Sequence, residues 1–71
     1  MKVKISLDTM SSVSQFISIT SAVEHPVYLT SGHFRVSAKS LLGALCSMEW
    51  DDVWCDCEED IYHRIEKFVV Y

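Results

Sequence analysis

The chain has 71 residues, 49% of them hydrophobic and 23% charged, with a formal net charge of −4. That length holds one domain with a small core, and the spread of apolar residues argues against disorder. No apolar run approaches the roughly 18 residues of a membrane span. The six Lys and Arg residues are dispersed, and the acids gather late, at Asp51, Asp52, Asp56, Glu58, Glu59 and Asp60. This balance argues against direct binding of nucleic acid, which needs clustered bases.

Residues 1–7 alternate, with Val3, Ile5 and Leu7 on one side and Lys2, Lys4 and Ser6 on the other, the pattern of a strand. Asp8 to Ser12 is a polar break rich in helix-capping types, and from there to Ala22 the residues Val13, Phe16, Ile17 and Ile19 fall near helical spacing. Pro26 opens a second extended run, Val27 to Thr30. Ser31-Gly32-His33 reads as a turn, and Phe34, Val36 and Ala38 alternate with Arg35 and Ser37. Together these predict a β-hairpin.

Ser40 to about Met48 reads as a short helix whose apolar surface comes from Leu41, Leu42 and Leu45. One of Leu41 and Leu42 should face solvent, because a short helix buries only one side. Val53-Trp54-Cys55-Asp56-Cys57 reads as a fourth strand, with Val53, Cys55 and Cys57 on one face and Asp52, Trp54 and Asp56 on the other. A last helix is predicted from Ile61, Ile65, Phe68 and Val69, spaced i, i+4, i+7 and i+8.

The resulting order is β-α-β-β-α-β-α. It predicts an α+β fold, a four-stranded antiparallel sheet covered on one face by three helices. The expected inward set is Val3, Ile5, Leu7, Val27, Leu29, Phe34, Val36, Val53 and Cys55. A ferredoxin-like βαββαβ unit with an extra helix is the alternative. Three cysteines without a secretory leader imply free thiols, and the chain reads as soluble and cytoplasmic.

This order, with VSAKSLLGAL at 36–45 between the third strand and the second helix, resembles the HPr family. These are the histidine-containing phosphocarriers of the bacterial sugar phosphotransferase system. The likeness is strongest from Pro26 to Met48, and Gln15-Phe16 in the first helix is a second echo. It implies an HPr-like open-faced β-sandwich over the whole chain, with the fourth strand between the first and the second. Family carriers take phosphate on a His at the start of the first helix, in a His-x-Arg-Pro motif. Aligned from Gln15-Phe16, this chain has Thr9 at the His position, Ser11 at the Arg and Ser12 at the Pro. None of His25, His33 and His63 is placed to take over. The expectation is therefore a noncatalytic relative, not an enzyme, that needs no cofactor.

Ser40 matches a Ser that a dedicated kinase phosphorylates in many Gram-positive members, where the modified protein acts as a corepressor. An HPr-like paralogue lacks the catalytic His and keeps this Ser. From the residues alone, Ser40 is a favoured helix cap. The two roles are compatible, since phosphate is electrostatically welcome at a helix N-terminus. Lys39 beside it adds a positive charge, and in family members the helix carrying Leu41 and Leu42 lies within the surface that partners use.

Two other groups have chemical potential. Cys55-x-Cys57, with Cys46 and His63, could complete a four-ligand metal set, but the spacing is not that of a zinc finger and the side they face is the predicted core, so no metal is expected. Trp54 is expected on the outer face of the sheet beside Lys4 and Tyr28. It reads either as an ordinary cross-strand cluster with a cation–π contact or as a partner or homodimer surface. The expected function is a regulatory or adaptor protein that meets phosphotransferase-system or transcription-regulator proteins. The alternatives are phosphotransfer through an unconventional residue and a self-associating domain with no signalling chemistry.

Overall fold

The structure is a computed structural model and describes residues 1–70. Strand β1 (Lys2–Ile5) leads into helix α1 (Met10–Ser21), which is followed by the hairpin of β2 (Val27–Ser31) and β3 (Phe34–Ser37). Helix α2 (Leu41–Ser47), strand β4 (Val53–Cys57) and helix α3 (Tyr62–Ile65) complete the order, and a 3-10 turn over Glu66–Phe68 follows. All strand pairs are antiparallel in one sheet ordered β1-β4-β2-β3, so the fourth strand lies between the first and the second, as expected.

The hairpin turn is set by Gly32, whose φ of +56° is the only positive φ among the described residues. A positive φ at the first of two central residues and not at the second is the pattern of a type II′ turn, which continues the twist of the flanking strands. This turn pairs Ser31 with Phe34 and fixes Leu29 opposite Val36. The inward faces of β2 and β4 are then Val27 and Leu29 beside Cys57 and Cys55. All four are buried.

Helix α1 begins at a Thr9 cap, whose hydroxyl accepts from the Ser12 amide at 3.0 Å. It buries Val13, Phe16 and Thr20 against the sheet. The Thr20 hydroxyl is shared between the carbonyls of Ile17 and Ala38, at 3.2 and 3.3 Å, which ties the end of α1 to the approach to α2. Phe16 meets Phe68 edge to face, with ring centroids 5.3 Å apart.

The last helix is shorter than its spacing predicts. Ile61, Ile65 and Phe68 are all buried, as the i, i+4, i+7 pattern requires, but the α-helix ends at Ile65 and Val69 has left the helical path. Val69 forms a bridge with Ile5. The Val70 amide donates to the Lys4 carbonyl at 3.0 Å, and the Ser6 amide donates to the Phe68 carbonyl at 2.8 Å. The unpaired edge of β1 offered these partners, and two β-branched residues accept extended geometry readily.

Two inward assignments need correction. Phe34 has the right parity for the helix side of the sheet but is 64% exposed, because it sits at the hairpin tip, where it stacks on Trp50 at 5.8 Å. On α2, both Leu41 and Leu42 are exposed, and Ala44 and Ser47 are buried instead. Gly43 explains this: a Cβ there would lie 3.0 Å from the Ser37 carbonyl oxygen. The helix lies close against β3 on its small residues, packs Leu45 against the core and turns Leu41 and Leu42 away.

Candidate functional site

Ser40 is the cap of α2. Its backbone is extended, at φ −93° and ψ 123°, and its hydroxyl accepts from the Gly43 amide at 3.3 Å. Ser40 is exposed, so the capping bond lies at the surface. Leu41 and Leu42 follow at 55% and 73% exposure, an apolar pair beside a hydroxyl.

Lys39 does not direct its charge toward Ser40. Its ammonium donates to the Val23 carbonyl at 2.6 Å, and the residue is half-buried. Lys39 therefore closes the end of α1, and of the residues Lys39, Leu41 and Leu42 expected to face a partner, the two leucines are the exposed ones.

Neither α1, of 12 residues, nor α2, of 7, contains a charged side chain. The outer face of α1 is Ser11, Ser14, Gln15 and Ser18, all exposed. Beside it, α2 exposes Leu41, Leu42 and Cys46. Helices α1 and α2 thus form a strip with no charged residue of its own, bordered by Lys67, whose ammonium donates to the Gln15 side-chain carbonyl at 2.5 Å; loss of charge is the compositional mark of an interface core. Met10, 59% exposed at the start of α1, belongs to the same helix layer and was not singled out by the sequence reading. The absence of any Asp, Glu, Lys or Arg between Thr9 and Val23 was the signal available for it.

Thr9 occupies the position where the resemblance places the phosphate-accepting His. Its hydroxyl accepts from the Ser12 amide and donates to the Ser12 hydroxyl, both at 3.0 Å, so it serves as a cap. His25, His33 and His63 lie before β2, in the hairpin turn and on α3, respectively, and all are exposed.

The opposite, helix-free face of the sheet carries Tyr28 and Trp54. Trp54 faces Lys4 on β1 and Thr30 on β2, with Tyr28 as its diagonal neighbour opposite Asp56. Lys4 thus lies beside Trp54 as expected, and the expected neighbour Tyr28 is diagonal to it, with Thr30 directly opposite. The Lys2 ammonium lies 6.0 Å from the Trp54 ring, the Arg35 guanidinium lies 3.9 Å from the Tyr28 ring, and Lys4 pairs with Asp52 at 3.1 Å. Arg35 was legible from the turn alone, since a two-residue loop after Ser31 puts Arg35 across from Thr30 and diagonal to Tyr28.

Cys55 and Cys57 lie in the core, and Cys46 is exposed on α2. Burial, followed by the neighbouring Cys57 and Asp56, pushes the Cys55 thiol up to about 12, with the N-terminal ammonium pulling the other way. A thiol held protonated is a poor metal ligand and a poor nucleophile. Among the described residues, no three His, Cys, Asp or Glu side chains are grouped to hold a metal ion, and no helix is long and apolar enough to cross a membrane.

The fold and surface together describe an open-faced α+β domain in which α1 and α2 carry no charged residue and the opposite sheet face sets Tyr28 and Trp54 among both cations and carboxylates. No family model, curated protein or solved structure matches the chain.

Proposed function

We propose that the chain is a noncatalytic HPr-like regulatory or adaptor domain of the cytoplasm that works by protein contact and is switched by phosphorylation at Ser40. Its partners are phosphotransferase-system or transcription-regulator proteins. The observation that carries this reading is the exposed Ser40 at the head of α2, a helix without charged residues, next to the exposed Leu41 and Leu42. Thr9 in place of the carrier His supports a role without histidine phosphotransfer.

The mechanism follows from the cap. A phosphate on Ser40 keeps oxygens near the Gly43 amide, which now binds the neutral hydroxyl at 3.3 Å. The helix is kept, and a dianion is added at the head of a helix that carries no charged side chain. A partner that reads Leu41 and Leu42 alone and a partner that reads them with the phosphate are thereby distinguished.

The test is phosphorylation of the purified protein from two donors, followed by intact mass. HPr serine kinase with ATP should add one acid-stable phosphate that is absent in Ser40→Ala. Phosphoenolpyruvate with the general phosphotransferase enzyme should add nothing. An acid-labile phosphate from the second donor would restore a carrier role, and no mass gain from either would reduce Ser40 to a helix cap.

A further inference from the structure

We propose that the helix-free face of the sheet is the interface of a symmetric dimer, its partner a second copy of this chain. The register sorts charge on this face into columns. A basic column, Lys2 and Lys4 on β1, runs beside an acidic one on β4, where Asp52, Asp56 and Glu58 share a side with Trp54. Beyond β1 the face gains one more column at the exposed Val70, whose amide donates to the Lys4 carbonyl.

With Arg35 on β3, the face holds three of the chain's six basic residues and three of its ten acidic ones. It is therefore neutral, and the whole net charge of −4 lies elsewhere on the molecule. A polyanion or a polycation gains nothing from a neutral face. Two copies, each at −4, repel least when they approach through it.

A symmetric face-to-face pair needs a surface that complements itself. Columns of opposite sign side by side supply this. A two-fold axis along the seam between β1 and β4 lays the basic column of each copy on the acidic column of the other. Lys2 then faces the partner's Asp56 and Lys4 faces the partner's Trp54, and symmetry makes each contact twice. An axis across the strands would set lysine on lysine and carboxylate on carboxylate, so the charge pattern selects the seam. Within one chain, Lys2 and Asp56 lie opposite each other without forming an ion pair, whereas Lys4 pairs with Asp52 at 3.1 Å. Lys2 and Asp56 have no ion-pair partner among the described residues and are available to a second copy.

The area is sufficient. The molecule measures 26 × 23 × 22 Å, so one face takes about a sixth of its 4447 Å² of surface. The seam leaves only β3 outside the overlap. The other four columns cover about 600 Å² on each copy, roughly 1,200 Å² together, which is the lower end of the range for specific interfaces. Trp54 and Tyr28 are half-buried, and such aromatics are enriched at the centre of protein contacts. Helices α1 and α2 lie on the other side of the sheet, so the dimer carries two outward copies of Ser40, Leu41 and Leu42. It stands whether or not Ser40 is modified.

The experiment is sedimentation velocity on the full chain, from about 1 to about 500 μM. A reversible monomer–dimer equilibrium is expected, weakening as salt screens the charge pairs. Lys2→Asp and Asp56→Lys should each weaken association at least about tenfold, because each change removes a pair that symmetry makes twice. Mixing the two variants should restore the dimer, since each then offers the charge the other lacks. Mixing leaves the repulsion within each chain unchanged, so recovery can come only from contact between chains. Glu24→Lys, the same change of charge at an exposed position off the face, should not weaken association. In a Trp50→Phe background, the emission of Trp54 should shift to the blue as the dimer forms. The proposal is overturned if the chain stays monomeric across the series, if the mixed variants fail to recover the dimer, if Glu24→Lys weakens it as much as Asp56→Lys, or if Trp54 emission does not move on association.

Discussion

The Lys39 ammonium donates to the Val23 carbonyl at 2.6 Å, so the residue just before the α2 cap also holds the end of α1. A cation at a helix C-terminus meets the negative end of the helix dipole, and the bond is charge-assisted. Lys39→Met keeps the methylene stem and removes the ammonium. It should lower stability by about 1–2 kcal/mol, a value reduced from that of a fully buried charged bond because Lys39 is half-buried. Urea unfolding should show a lower midpoint at unchanged slope. An unaltered midpoint would mean that the bond contributes nothing in solution.

Ser40 offers a test that separates the cap from any signalling role. Ser40→Ala removes the acceptor for the Gly43 amide and should cost about 1 kcal/mol. Ser40→Asp keeps an acceptor and should stay within about half a kcal/mol of the parent. Equal losses in both variants would show that the hydroxyl does not cap α2.

The sequence made the sheet legible because alternation is a local signal with one meaning. Val27, Leu29, Val53, Cys55 and Cys57 are buried where their parity put them, and the turn at Gly32 fixed the hairpin register. The candidate site was legible at Ser40, whose capping chemistry is also local. What could not be read depended on distant parts of the chain. Val69 fits the helical stripe, but the open edge of β1 drew it into a bridge with Ile5. Leu41 and Leu42 are apolar, but the close approach of Gly43 to Ser37 selected the small face of α2 for burial. Lys39 looked like a charge for Ser40 until the fold brought the Val23 carbonyl within its reach.

Gly43 gives a prediction in which two effects oppose. By helix propensity alone, Gly43→Ala should stabilise α2 by about 1 kcal/mol. The added Cβ would meet the Ser37 carbonyl oxygen at 3.0 Å and the Val36 Cβ at 3.2 Å. That carbonyl is backbone and already accepts from the Ser40 amide at 3.2 Å, so it has little room to give. Overpacking should win, with a net loss of about 1–3 kcal/mol in thermal or chemical unfolding. A stabilised variant would show that α2 slides on β3.

The Cys55 thiol predicts an alkaline limit to stability. In the unfolded chain it titrates near 9.0, and in the fold it is pushed up to about 12, chiefly by burial. The folded state therefore keeps a proton that the unfolded state loses. Its contribution is complete below about pH 9 and is lost as pH rises toward 12, at about 1.4 kcal/mol per pH unit. Cys55→Ala, whatever its stability at neutral pH, should decline less steeply over that window. Parallel curves for the two proteins would refute the assignment.

The position of β1 has a consequence for the order in which the domain can fold. Lys2 pairs with Asp56 and Ile5 with Val53, and the other side of the strand is closed by residues 68–70. β1 thus finds both its neighbours only after some fifty further residues have been made and brought back to it. Until then the hairpin of β2 and β3 is the one piece of sheet that nearby residues can build, and Val3, Ile5 and Leu7 wait without cover. Folding of this domain accordingly waits for contacts that span almost its whole length, and the apolar face of β1 is exposed to aggregation until residues 53–70 are in place.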